Sequence, residues 1–172
     1  MKCRPTFFAV LFGAGFFTYL VHESAHWLMG AAFGADMKFG LNAVKFLSVL
    51  TAGQKAWTDF AGPAITVVQG LVAFALVMKT GSQNAFAFLY CAAFMRVVAG
   101  FISIVMPNDE ARLSTFLGLG QWTLPILVGG ALVVLLWKAS RTLQLTWKDQ
   151  LLCYIVMSLT TALIVGLDRF VL

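Results

Sequence analysis

The chain has 172 residues, of which 60% are hydrophobic and 11% charged, with a formal net charge of +5 and a mean hydropathy of +0.88. Soluble domains carry about a quarter of their residues as charged side chains, so this composition excludes a soluble globular domain and predicts an integral, multi-pass protein of a cell inner or plasma membrane, embedded in a lipid bilayer. The length allows one helical bundle without a separate peptide-binding module, and the basic residues are scattered at segment ends rather than gathered with aromatics, which argues against nucleic-acid binding.

Lys2 and Arg4 precede an apolar run from Thr6 to Phe33. The start resembles a secretory signal, but cleavage near Ala31 would cut off the chain's only histidines, so the run is read as a retained first span. Within it stand His22-Glu23-Ser24-Ala25-His26. A helix advances about 100° per residue, which puts the two histidines one turn apart on one face, where they can ligate one metal ion. In a His-Glu-x-x-His pattern the imidazoles hold Zn²⁺ and the glutamate, here Glu23, acts as the base that takes a proton from water. With two histidines and two glutamates in the chain, random placement would give this pattern in roughly one arrangement in ten thousand, so chance is a poor explanation. Ionisable groups at bilayer depth are costly and mark function by default.

Gly30 and Gly34 form a small-x-x-x-small pattern that would let another helix approach. From Gly34 to Asp59 the chain is more polar, and partial alternation at Met37–Phe39 and Val44–Leu50 predicts a short β-hairpin, with an ordinary loop as the alternative. A hairpin there could offer an edge strand to an extended substrate. Further spans are expected at about Phe60–Met78, Ala85–Met106, Trp122–Trp137 and Leu151–Val165, the fourth with a possible start near Leu113. The fold class expected is all-α, a bundle of about five spans forming a single domain. Trp57, Trp122, Trp137 and Trp147, with Lys138, Arg141 and Lys148, suit the headgroup level. Cys3, Cys91 and Cys153 form no C-x-x-C pair and say little about redox compartment.

A catalytic zinc generally has three protein ligands, so a carboxylate must join His22 and His26. Successive spans alternate direction, which brings the end of span one near the start of span two and the end of span three. Asp109 is favoured, because Pro107 breaks the helix before it and can turn a carboxylate into the bundle, and Glu110 is the alternative. Asp36, ten residues after His26, lies too far along the same helix to fold back, and Asp59 is expected to cap span two. Thr18 and Tyr19 share the face of His22 and could serve as outer-sphere donors or simply pack. Arg96, in mid-span, could pair with an acid, line a water path or snorkel.

These motifs resemble the site-2 protease family of intramembrane zinc metalloproteases, over roughly residues 6 to 115. That family combines a His-Glu-x-x-His helix, a helix with an Ala-Gly-Pro element near its start and a helix ending in an aspartate motif. The resemblance implies zinc on His22, His26 and Asp109, with Glu23 catalytic and Ala61-Gly62-Pro63 as the second element. The glycine that commonly follows the family's aspartate is absent here. An asparagine often stands three residues after the family's proline, so Thr66 or Gln69 would take over its hold on substrate.

The expected activity is hydrolysis of a peptide bond in or near the membrane segment of another protein. Two alternatives stand beside it, a non-cleaving membrane scaffold or regulator of the same fold and a metal-ion transporter. Glu23 argues against the first, since metal binding alone needs no base. The scarcity of ionisable residues in the later spans argues against the second.

Overall fold

The computed structural model describes residues 5–170; Lys2, Cys3 and Arg4 lie outside the described residues. Six helices and one small hairpin follow in order: α1 (Pro5–Ala32), β1 (Met37–Lys38), β2 (Lys45–Phe46), α2 (Ala52–Thr80), α3 (Gln83–Ile102), α4 (Asp109–Phe116), α5 (Thr123–Thr142) and α6 (Trp147–Phe170). All but α4 are long and apolar enough to cross a membrane, and the protein is an all-α, multi-pass membrane bundle. The 20 residues of α3 reach about 30 Å, the thickness of a hydrocarbon core.

Local chemistry sets the ends of these helices. Pro5 opens α1, where its missing N–H costs nothing, and Gly34, at φ +73°, follows its C-terminus in a conformation that favours glycine. Thr51 and Gln54 form a reciprocal capping box at the start of α2. Gly81 and Ser82 alone join α2 to α3, so these helices run antiparallel. Asn108 caps α4 by accepting from the Asp109 N–H.

α3 is the central helix, packed on α1, α2 and α5, while α6 lies against α1. Phe86 and Leu89 of α3, Leu11 of α1, Val77 of α2 and Met157 of α6 are fully buried in the core. Val68, Leu71, Val72, Ile126 and Leu127 point outward, which an aqueous surface would penalise and a lipid surface accepts. The C-terminal ends of α1, α3 and α6 and the N-terminal ends of α2 and α5 share one side of the bundle, and α4 lies on that side against α2 and α5.

The hairpin is present and short, pairing Met37 with Phe46 and Lys38 with Lys45 in antiparallel register. Several boundaries differ from expectation. α2 begins at Ala52, so Asp59 sits inside the helix and does not cap it; Thr51 holds that position. α3 stops at Ile102, well before Pro107, and the proline belongs to the following turn. The segment from Leu113 does not extend the fourth span, because positive-φ glycines at 118 and 120 separate α4 from α5. Nor does Gly30 admit a helix: the Met37 side chain and the Phe46 ring of the hairpin fill the space beside it.

Candidate metal centre

His22, Glu23 and His26 project from the second half of α1 and are all buried. Their counterpart is Asp109, the first residue of α4, also buried. The His22 and His26 Nε2 atoms are 3.1 Å apart, and Asp109 Oδ2 lies 3.3 Å from the first and 3.4 Å from the second. Ligand atoms about 2.0–2.1 Å from a tetrahedral ion are separated by about 3.3–3.4 Å, so the triangle has the dimensions of one face of such a coordination sphere. These three residues form the cluster among the described residues that can hold a metal ion.

The outer ring nitrogens explain why the inner ones suit a cation. His26 Nδ1 lies 2.6 Å from the Thr58 carbonyl oxygen, which can only accept. It therefore carries the proton and leaves a lone pair on Nε2. His22 Nδ1 is 3.0 Å from Thr66 Oγ1, whose hydroxyl donates to the Gly62 carbonyl. The Thr66 oxygen is thus left to accept from Nδ1, and His22 Nε2 also presents a lone pair. With both rings in these tautomers two imidazole lone pairs and a carboxylate oxygen converge, and either a metal ion or, without metal, a proton on a ring nitrogen hydrogen-bonded to Asp109 relieves the arrangement.

Gly62 makes this approach possible. A Cβ there would fall on His26 Nε2 and lie 2.6 Å from His22 Cε1. Gly62 of the Ala61-Gly62-Pro63 element thus gives α2 a bare point against which both imidazoles pack.

Asp109 is held from its other oxygen. Arg112 Nη2 donates to Asp109 Oδ1 at 2.6 Å and to Asp59 Oδ1 at 2.6 Å, its Nε donates to Asp59 Oδ2 at 3.0 Å and its Nη1 to the Pro107 carbonyl at 2.9 Å. Burial by itself pushes the Asp109 carboxyl up, but hydrogen bonds and charge from His22 and His26 outweigh it and hold the group well below the usual carboxylate range.

Glu110 stands outside the triangle. Its Oε1 accepts from Arg96 Nη1 at 2.8 Å, so the mid-span arginine pairs with an acid, while Asp109 Oδ2 is 4.0 Å from the same nitrogen. Three buried carboxylates, Asp59, Asp109 and Glu110, thus lie against the two guanidiniums of Arg96 and Arg112, and the acidic excess favours a cation at the triangle.

A cavity of about 440 Å³ opens on the triangle, and Tyr19, Glu23, Val44, Phe46, Arg96 and Asn108 are among its lining residues. Tyr19 donates to Thr161 Oγ1 at 3.3 Å. Gln69 lies away from the cavity and donates to Thr18 Oγ1 and the Phe88 carbonyl, at 2.9 and 3.1 Å. Asp36 is exposed at the base of the hairpin. Sequence reasoning missed the Arg112–Asp59 pair, whose members are 53 residues apart; no periodicity links them. No protein-family model, curated protein or solved structure matches this chain.

Proposed function

We propose that this chain is a zinc-dependent intramembrane peptidase, similar in its working parts to the site-2 proteases, that hydrolyses a peptide bond in or near the membrane segment of another protein. The observation that carries this reading is the triangle of His22, His26 and Asp109 on a cavity that Glu23 also lines. Two imidazoles and one carboxylate are a donor set that zinc accepts with a position left open for water. When bound, zinc would polarise the scissile carbonyl and acidify water.

The remaining chemistry belongs to the chain. Glu23, adjacent to His22 on α1, takes the proton of the attacking water and passes it to the leaving amine. Thr58 and Thr66 keep both imidazoles in the tautomer that points a lone pair inward. A substrate helix must unwind before its peptide bond is accessible, because helical carbonyls and amides are occupied by each other. The strand Lys45–Phe46 stands beside the cavity, and an extended substrate could pair along it.

Zinc content and cleavage of a model membrane substrate, followed together on wild type, Glu23→Gln and His26→Ala in detergent, test this. One zinc per chain in wild type and Glu23→Gln is expected, with cleavage in wild type alone and metal lost from His26→Ala. General-base removal should cost about 10²–10⁴-fold in rate. Wild type that stays zinc-free after purification with excess metal would overturn the enzyme reading, and zinc-loaded wild type that cleaves no membrane substrate would leave a scaffold.

A further inference from the structure

We propose that Arg112 and Asp59 are positioning residues that confine Asp109 to a single metal-facing oxygen, so that α2, which contributes no ligand, orients all three ligands. The inference rests on the metal-centre reading above.

A carboxylate can bind a metal through one oxygen or both. With two histidines and a bound water, a two-oxygen aspartate would raise the site from four ligand atoms to five. Here the two oxygens of Asp109 have separate partners: Oδ1 receives Arg112 Nη2 at 2.6 Å, whereas Oδ2 faces both histidines. The guanidinium is itself immobilised, with two of its nitrogens on Asp59 and the third on the Pro107 carbonyl. Such a planar fork fixes direction as well as charge, and lysine lacks it.

The anchor lies on the helix that also orients the histidines. Thr58 holds His26, Thr66 holds His22 and Asp59, between them, holds Arg112. α4 spans eight residues, and its first carboxylate is linked to α2 through Arg112. Arg96 on Glu110 supplies a second tether from α3.

The test uses Arg112→Lys, Arg112→Met, Asp59→Asn and Asp59→Glu in detergent. Zinc affinity is measured by chelator competition, the visible spectrum of the Co²⁺-substituted protein reports coordination number, and unfolding of the metal-free protein is followed separately. Zinc affinity should fall about 10–100-fold in Arg112→Met and Asp59→Asn, the usual effect of losing an outer-sphere partner. Their cobalt spectra should shift away from four-coordinate, and Asp59→Glu should recover part of both effects. Arg112→Lys should fold like wild type yet fail to restore the spectrum. Variants that keep wild-type zinc affinity and cobalt spectrum while losing only metal-free stability would make the pair a helix strut and overturn the inference alone. Wild type binding neither metal would overturn the metal-centre reading itself, and this inference with it.

Discussion

Replacing Gly62 with alanine should abolish tight metal binding while leaving the bundle folded. The new methyl carbon would sit 2.6 Å from His22 Cε1 and 2.7 Å from His26 Cδ2, and on top of His26 Nε2. Non-bonded carbons settle at about 3.5–4.0 Å, so each ring must retreat by about 1 Å or α2 must move away by as much. Metal sites hold their ligand distances to within about 0.2 Å, and the displacement exceeds that several-fold. Moving α2 instead would stretch the Thr58 and Thr66 contacts that set both tautomers. Either route should weaken zinc binding by more than about 100-fold, beyond the usual effect of a disturbed outer partner. The metal-free fold should suffer less, because overpacking costs about 1–3 kcal/mol and removing a mid-helix glycine returns about 0.5–1 kcal/mol. Chelator competition gives the affinity, and thermal unfolding of the metal-free protein gives the stability. Gly13→Ala and Gly100→Ala are the controls, since a Cβ at either meets nothing within 4 Å. Gly62→Ala with an affinity close to wild type would refute the claim that this glycine makes room for the imidazoles.

Three further perturbations separate the remaining interactions. Arg96→Met leaves Glu110 buried without its guanidinium, which should cost about 3–5 kcal/mol; adding Glu110→Leu should recover most of that loss in detergent unfolding, and failure to recover would mean the pair is not the source. Asp168→Ala removes the carboxylate oxygen that accepts from the Leu41 amide at 2.6 Å and so ties the loop of the hairpin to α6. Hydrogen exchange at that amide should accelerate about 10–100-fold for a charge-assisted bond worth about 1.5–3 kcal/mol, and unchanged exchange would remove α6 from any role in holding the hairpin. Asp109 titrates below its unfolded value in the metal-free protein. The unfolded state therefore binds the extra proton, so this contribution to stability is complete above about pH 4 and is lost as the pH falls through the folded value. Asp109→Asn should show a shallower loss of metal-free stability than wild type as the pH falls below about 4, and parallel curves there would contradict the ion-paired state.

The one-dimensional properties of this chain were enough to determine its membrane character, its count of five spans and the shared face of His22 and His26, while the hairpin after the first span stood level with a loop until the Met37–Phe46 pairing decided it. Hydropathy and helical period are set by neighbours a few residues apart, so a sequence carries them in full. The direction of successive spans also limits which carboxylates can reach the histidines. It does not choose between Asp109 and Glu110, which are adjacent on one helix and about 100° apart. That choice was made by the docking of α4, which turns Asp109 to the histidines and Glu110 to Arg96. The same holds for Asp59, expected as a cap and found bound to Arg112, and for Gly30, expected against a helix and found against Met37. The Gly62 clearance and the α2 contacts that fix both imidazole tautomers arise only where separate helices meet. Tertiary packing decided them because each depends on atoms brought together across dozens of residues, at distances that no local pattern specifies.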